Sequence, residues 1–496
     1  MIRLFVTLSL FSPWLTVVNS SHAQSPPEAK SKPADASKEV RTRHSVTLSG
    51  KKIEYDAVAG MLPLREESKV TASIFYIAYT QVDADKAKRP LTFCFNGGPG
   101  SSSVWLHMGA FGPKRVLLTD VGETPAGPPK LVENEGSILD VTDLVFVDPV
   151  STGFSRAADE KDAKKFHGVE EDVESIGEFI RLYLTREKRW ESRKFLAGES
   201  YGTTRAAALS RHLQDRHGIY AEGVMLISSV LDFQTLSFSE GNDLPYSVFL
   251  PTYTATAYYH KKLEAKDGLK KLLGESEKFA LNEYPIALAK GNRLTQDEKF
   301  VVAKKLASLT SLSEDYVLRS DLRIEPTRFR RELLRKEGIS VGRFDSRLNG
   351  KDGNALGEAA GHDFSYSAVH GAYTAGLNAY LREELKFESD QVYEILTGRV
   401  RPWNYGHEGT NRFLNVTGRL REAMVTNRHL RVLVANGYYD LATPYFATEH
   451  TFAHLTGVKE ITDRVSMTYY ESGHMMYIHR PSLQKLREDA VKFIKN

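Results

Sequence analysis

Apolar residues along this chain follow two periods that take turns. Alternation of apolar and polar positions over 44–48, 52–55 and 72–79 predicts short antiparallel strands near the start. The runs Leu91–Phe95, Asp143–Val147, 194–197, Gly223–Ser229 and 430–435 are largely apolar, as strands buried on both faces are, and Val465–Tyr470 reads as a further strand. Between them the spacing changes. Val169, Val173, Ile176, Phe179, Ile180 and Tyr183 repeat at helical intervals over 169–184. Residues 203–209 are rich in helix formers, and Leu483, Leu486, Ala490 and Phe493 place one apolar side on a helix over 481–495. Strands alternating with helices predict an α/β fold with a mixed, mostly parallel central sheet covered on both faces.

The rhythm breaks after Asp232. Residues 235–405 are charged, helix-rich and poor in strand signals, with aromatic clusters such as Tyr253, Tyr258 and Tyr259. This stretch is expected to be an inserted helical cap lobe over the carboxyl ends of the strands, where it would shape a pocket. The core is then divided into 41–234 and 406–496. No internal repeat is visible.

Composition narrows the picture at the N-terminus. Arg3 precedes a mostly apolar run over 4–18, and Ser21-His22-Ala23 offers small residues before Gln24. Residues 1–23 read as an export signal and 24–40, rich in Pro, Ala, Ser and Lys, as a disordered leader. The run is shorter than the ~20 residues of a membrane span and contains Pro13, so no membrane anchor is expected after signal removal. The 496 residues hold 66 basic and 63 acidic side chains, a formal net charge of +3, which gives no electrostatic case for nucleic acid. The one cysteine, Cys94, lies between Phe93 and Phe95 and reads as a small buried hydrophobe. An exported chain without disulfides suits a bacterial periplasmic or secreted protein better than a eukaryotic secretory one.

The chemistry centres on Gly198-Glu199-Ser200-Tyr201-Gly202, between a predicted strand and a predicted helix. This Gly-x-Ser-x-Gly setting is a nucleophile elbow: the reversal is too tight for a side chain at either glycine, and it pushes the serine out at the sheet edge. A serine hydroxyl needs a base, and the base a carboxylate to orient it. Asp440, in the turn Asn436-Gly437-Tyr438-Tyr439-Asp440, and His474, in Ser472-Gly473-His474-Met475, each follow a predicted strand. Of the 15 histidines, His474 follows a strong strand through a Ser-Gly turn near the end of the chain, with His479 as its competitor. The order Ser, Asp, His is that of α/β-hydrolases. The loop Asn96-Gly97-Gly98-Pro99-Gly100-Ser101-Ser102-Ser103 has neither Gly-Lys-Ser/Thr nor Gly-x-Gly-x-x-Gly, which argues against a nucleotide. Its glycines allow backbone N–H groups to approach a developing oxyanion. No His-Glu-x-x-His is present, so neither metal nor other cofactor is expected.

Together with Asp148-Pro149-Val150-Ser151-Thr152-Gly153-Phe154-Ser155, these segments resemble, in order over about 90–480, the serine carboxypeptidases (peptidase family S10). The resemblance implies an α/β-hydrolase fold and removal of C-terminal residues from peptides with a free C-terminus, through an acyl-enzyme. It implies Ser200 as nucleophile, His474 as base and Asp440 as its orienter. The N–H groups of Gly98 and Tyr201 would form the oxyanion hole. Asn96, the Gly97 backbone and Glu199 would hold the substrate's terminal carboxylate, and Met475 would line the leaving-group pocket. Glu199 facing a carboxylate must share a proton with it, which predicts best activity at acidic pH. The chain departs from the family at Ser101, where a cysteine is usual, at Tyr438, where the first aspartate of its turn is usual, and at Ala110, where a second glutamate of the carboxylate site often stands. Ala110 keeps open an esterase or acyltransferase on the same triad. A catalytically dead binding protein is the reading from another class, disfavoured by three triad residues in order beside a glycine-rich loop.

Overall fold

In the computed structural model, which describes residues 38–353, 356–409, 412–455 and 459–496, the chain opens with an antiparallel meander of β1 (Glu39–Leu48), β2 (Lys51–Glu66) and β3 (Lys69–Gln81). There follow β4 (Leu91–Phe95), β5 (Asp143–Val147), the two-residue β6 (Arg156–Ala157), helix α1 (Val169–Arg186), β7 (Lys194–Ser200), α2 (Tyr201–His217) and β8 (Gly223–Ser229). After a long excursion come β9 (Arg431–Gly437) and β10 (Val465–Tyr470). The sheet order is β1-β2-β3-β5-β4-β7-β8-β9-β10, with β6 beside β3. From β5 onward every pairing along this order is parallel. This is the α/β-hydrolase fold.

The parallel strands explain their own sequences. Every residue of β4, β5 and β8 is buried, because helices cover both faces. One face packs on α1 and α2 through Ile176, Phe179, Leu209 and Leu213. The other meets the C-terminal helix (Arg480–Lys495), which buries Leu483, Leu486, Ala490, Phe493 and Ile494. Burying a large apolar side chain is worth roughly 1.5–3 kcal/mol, so that helix is held by its apolar side rather than by its charged one.

Three expectations change. The alternation over 52–55 predicts a short strand, but β2 runs on to Glu66 through Gly60 and Pro63. Residues 57–64 are all buried, which erases the period of two, and Gly60 leaves room for Tyr76, whose ring a Cβ there would meet at 3.2 Å. The leader expected over 24–40 gives way earlier: Glu39 pairs with Gly60 and Val40 with Ala59 in β1. Its remainder up to residue 37, and the signal expected over 1–23, lie outside the described residues.

The stretch expected to form a cap lobe divides in two. Residues of the helices Leu244–Tyr259, Leu269–Leu281 and Gln296–Thr310 build a separate apolar cluster that includes Tyr439 and Leu441, the neighbours of Asp440. The helix Phe364–Ala379 instead returns to the main core, where Val369, Tyr373 and Leu377 join Tyr79 and Trp105. Tyr380, just beyond it, joins them. Their helical spacing is diluted by small residues and by the polar surroundings in sequence.

Candidate active site

All the segments singled out in the sequence emerge at the carboxyl ends of neighbouring parallel strands. The glycine-rich loop leaves β4, Ser200 ends β7, the Asp440 turn leaves β9 and the His474 turn leaves β10. Ligand sites of open α/β sheets gather at this edge.

Ser200 adopts φ 60 and ψ −129, between a strand and the first turn of α2. A non-glycine residue in such a conformation is strained and persists only where its surroundings impose it. Here the glycines impose it. A Cβ on Gly202 would lie 2.6 Å from the Phe95 carbonyl, and one on Gly198 would overlap the Gly202 carbonyl. Thr203 Oγ1 donates to the Ser200 carbonyl at 2.6 Å and holds the turn from below. The Tyr201 N–H opens the helix and has no acceptor within it.

Asp440 and His474 form a buried pair. His474 Nδ1 donates to Asp440 Oδ2 at 2.7 Å. The other carboxylate oxygen accepts from the N–H groups of Ala442 at 2.8 Å and Thr443 at 3.0 Å, and Thr443 Oγ1 donates to Oδ2 at 2.7 Å. With Nδ1 committed as donor, Nε2 is the lone-pair nitrogen of the neutral ring. Burial disfavours the imidazolium, but the charge and hydrogen bond of Asp440, helped by Glu199, outweigh it and raise the pKa above the ordinary histidine value. Ser200 Oγ makes no hydrogen bond among the described residues; the nucleophile–base contact often tightens only when substrate arrives.

The glycine-rich loop is clamped against the elbow. A Cβ on Gly97 would lie 2.8 Å from the Glu199 carbonyl and 2.9 Å from Gly202 N. Buried Arg205 of α2 donates from Nη1 to the Asn96 carbonyl at 2.6 Å and from Nε to Asp172 of α1 at 2.7 Å. Asp148, in the motif after β5, accepts from Ser103 N at 2.8 Å and Ser103 Oγ at 2.7 Å, so that second loop braces the first. Asn96 Oδ1 accepts from Leu106 N at 3.0 Å, while its Nδ2 is buried without a hydrogen-bond partner.

Glu199 is 3% exposed. Burial pushes its pKa up to about 7; Asp440 adds to the rise, and His474 and a hydrogen bond from Tyr477 oppose it. The Asn96 amide also favours the ionised form, though its Nδ2 does not reach hydrogen-bonding geometry. Tyr477 Oη donates to Glu199 Oε2 at 2.7 Å. Sequence reasoning missed Tyr477. It looked for a second acid at Ala110, which lies in the apolar core. The signal was three residues beyond His474.

A second omission is the turn 342–348. Phe344 accepts from His474 N at 2.5 Å through its carbonyl, and its ring lies 5.0 Å from the imidazole. Asp345 accepts from Gly473 N at 3.0 Å and pairs with buried Arg347 at 2.6 Å, and Arg347 also donates to Ser472 Oγ at 3.0 Å. This turn fixes the backbone that leads into His474. His479, the competing histidine, bonds to Ser482 Oγ instead.

Asn96, Gly97, Gly98, Glu199, Ser200, His474 and Met475 all line one cavity of about 340 Å³. Arg343, Phe344 and Tyr366 line it from the excursion after β8, and Leu396 to Gly398 and Arg401 from its end. Asp440 is fully buried behind His474. Cys94 is buried in β4. Among the described residues, no group of three or more His, Cys, Asp or Glu could hold a metal ion, and no helix is long and apolar enough to cross a membrane.

Comparison with known proteins bears on the first part of this site. Residues 50–280, under half of the chain, match the model of the serine carboxypeptidase family (Peptidase S10). The match takes in the glycine-rich loop and the elbow and stops short of Asp440 and His474. The pheromone-processing carboxypeptidase KEX1 of Saccharomyces cerevisiae is 33% identical over 159 residues, 29% of this chain and 20% of the yeast protein. Serine carboxypeptidase-like 45 of Arabidopsis thaliana is 25% identical over 216 residues, 39% of this chain and 43% of the plant protein. The chain thus spans about a fifth of the yeast relative's length and under half of the plant one's. Among solved structures, a thermostable carboxyl esterase from Bacillus coagulans is 12% identical, with a TM-score of 0.36, covering 88% of this chain and 97% of that one. The fold assignment rests on the sheet topology itself.

Proposed function

We propose that this chain is a serine-type carboxypeptidase of the S10 kind that removes C-terminal residues from peptides through an acyl-enzyme. Ser200 Oγ attacks the carbonyl of the last peptide bond while His474 Nε2 takes its proton. The C–N bond breaks as His474 returns that proton to the leaving amine. Water, deprotonated by the same nitrogen, then hydrolyses the ester on Ser200. Asp440 orients the ring and stabilises the imidazolium. The N–H groups of Tyr201 and Gly98 take the negative oxygen of each tetrahedral intermediate.

The observation that carries this reading is a pairing beside Ser200. Asn96 Nδ2 is a buried donor without a partner, and Glu199 is a buried carboxyl whose pKa stands at about 7. A neutral carboxylic acid and an amide N–H together offer two donors to a carboxylate, and with the Gly97 backbone they suit the free end of a peptide. Met475 then faces the side chain of the departing residue. Binding weakens as pH rises through about 7, where Glu199 ionises and repels the substrate. Tyr477 supplies a hydrogen bond to Glu199 where Ala110 offers none. The signal-like pattern over 1–23 and the single cysteine support the reading of an exported, periplasmic or secreted bacterial protein.

The test is mass spectrometry of N-terminally blocked peptides incubated with the protein. Successive loss of single residues from the C-terminal end is expected, and none after Ser200→Ala. Internal cleavage, or cleavage of esters with peptides left intact, overturns the reading.

A further inference from the structure

Among the described residues, the cavity that holds Ser200 is lined by four side chains that can carry a charge near neutral pH: Glu199, His474, Arg343 and Arg401. Two are accounted for by the chemistry above. The other two are exposed arginines, and among the described residues neither guanidinium has a hydrogen-bond or ion-pair partner, although most arginines of this chain have one. Arg343 lies in the turn that carries Phe344, its guanidinium 5.1 Å from the Phe344 ring. Its backbone is fixed at both ends: Arg343 N donates to Asp363 Oδ1 at 2.9 Å, and its carbonyl accepts from Leu441 N at 3.0 Å. The Arg343 charge is close enough to oppose protonation of His474.

Arg401 approaches from a different element. The segment before it runs beside the glycine-rich loop, with Thr397 N donating to the Gly100 carbonyl at 2.9 Å and Ser101 bridged to Leu396. Arg401 N donates to the Gly398 carbonyl at 3.0 Å. Two guanidiniums on anchored backbone therefore face one cleft. The one acid among the described residues of its lining, Glu199, is largely protonated at pH 5.5, so these residues carry a net positive charge there. Arginine offers paired N–H donors in a planar fork that matches a carboxylate.

We propose that Arg343 and Arg401 select peptides with an acidic side chain, Asp or Glu, on one of the two residues flanking the scissile bond. This rests on the carboxypeptidase reading of the same cleft and adds the substrate class to it. The terminal carboxylate is held by Asn96 and Glu199; the arginines take the second negative charge. The attraction brings such peptides in and holds them, and it weakens with ionic strength.

The experiment is equilibrium binding, by fluorescence anisotropy, of N-terminally tagged dipeptides with a free carboxyl end to the full-length Ser200→Ala chain at pH 5.5. Glu, Gln or Lys stands at either position, and the measurement is repeated with Arg343→Gln and Arg401→Gln added. Binding is read whether or not the wild type hydrolyses peptides. A Glu peptide is expected to bind about tenfold more tightly than its Gln counterpart, a size set by one charge-assisted hydrogen-bonded pair. That advantage falls to about one in the double arginine variant and shrinks with added salt. Equal affinity for Glu and Gln, tightest binding of Lys, or no binding of any peptide overturns the proposal. So does an equal loss for Glu and Gln peptides in the arginine variants, which would assign the arginines to the terminal carboxylate. Parallel hydrolysis of the Gln peptides by the wild type tells these outcomes apart from failure of the carboxypeptidase reading.

Discussion

Replacing Tyr477 by phenylalanine removes one oxygen, the donor to Glu199 Oε2 at 2.7 Å, and leaves the ring packed where it is. Both groups are buried, so the lost hydrogen bond is not replaced from solvent. A hydrogen bond to a charged group is worth about 1.5–3 kcal/mol, and at 1.36 kcal/mol per unit its loss raises the carboxyl pKa by about 1–2 units, from about 7. The sign follows from which form binds. Protonated Glu199 donates to the substrate carboxylate and ionised Glu199 repels it, so the limb of kcat/KM that falls with rising pH moves upward in Tyr477→Phe. His474 is coupled to the same carboxylate, because ionised Glu199 favours the imidazolium. Weakening that ionised form lets His474 lose its proton more readily, and the acid limb moves to lower pH. The profile therefore broadens on both sides. The assay is kcat/KM for a blocked dipeptide with a free carboxyl end, from pH 4 to 9. Stability gives an independent readout. The Glu199 pKa is raised above its unfolded value of 4.5 to about 7, so its contribution to stability is full below pH 4.5 and is lost, by roughly 3 kcal/mol, as pH rises to 7. Tyr477→Phe extends that loss beyond pH 7, so urea unfolding at pH 8 is destabilised by more than at pH 4. A basic limb that stays put or moves down would show that Tyr477 does not hold Glu199 in its ionised form.

Three more changes probe the supports. Asp440→Asn leaves the ring unoriented and its cation unpaired; kcat is expected to fall by about a thousandfold or more with KM little changed, measured on the same dipeptide. Gly97→Ala places a Cβ under 3 Å from the Glu199 carbonyl and the Gly202 amide; loss of activity is expected together with a lower melting temperature by calorimetry, and a variant as active as the parent would contradict the clamped loop. Asp345→Ala breaks a buried pair with Arg347 and frees the His474 turn; about 3–5 kcal/mol of stability is expected to go in urea unfolding, since a buried charge is left alone.

The parts of the molecule that could be read in advance share one property. Ser200, Asp440, His474 and the loop from Asn96 each stand at or just beyond the end of a strand that the sequence marks, so the local pattern also places them at the sheet edge. The full length of β2 is hidden in the sequence because burial on both faces over 57–64 removes the alternation that marks a strand, and Gly60 and Pro63 look like punctuation. Nothing local says which core the small, mixed face of the helix Phe364–Ala379 meets. Tyr477 and Glu199 are 278 positions apart, and the contact of Phe344 with His474 joins two elements with no common motif. Such contacts are set by packing between elements, which period and composition do not encode. Arg343 and Arg401 escape notice for the same reason, as two arginines among many.

A carboxypeptidase cleft must recognise a free carboxyl end. The direct measurement is kcat/KM at pH 5.5 for one blocked dipeptide sequence in three forms: the free acid, the C-terminal amide and a simple ester of the acyl half. Release of the last residue from the free acid is expected, with kcat/KM at least about a hundredfold above the amide, a gap of about 2.7 kcal/mol that two buried hydrogen bonds to a charged group would sustain. Glu199→Gln, which keeps a donor but cannot ionise, is also expected to remove the fall in free-acid hydrolysis as pH rises through 7. Hydrolysis of the ester alone, or of acid and amide at equal rates, would contradict recognition of a free carboxyl end and leave Glu199 and Asn96 without the substrate they are arranged to hold.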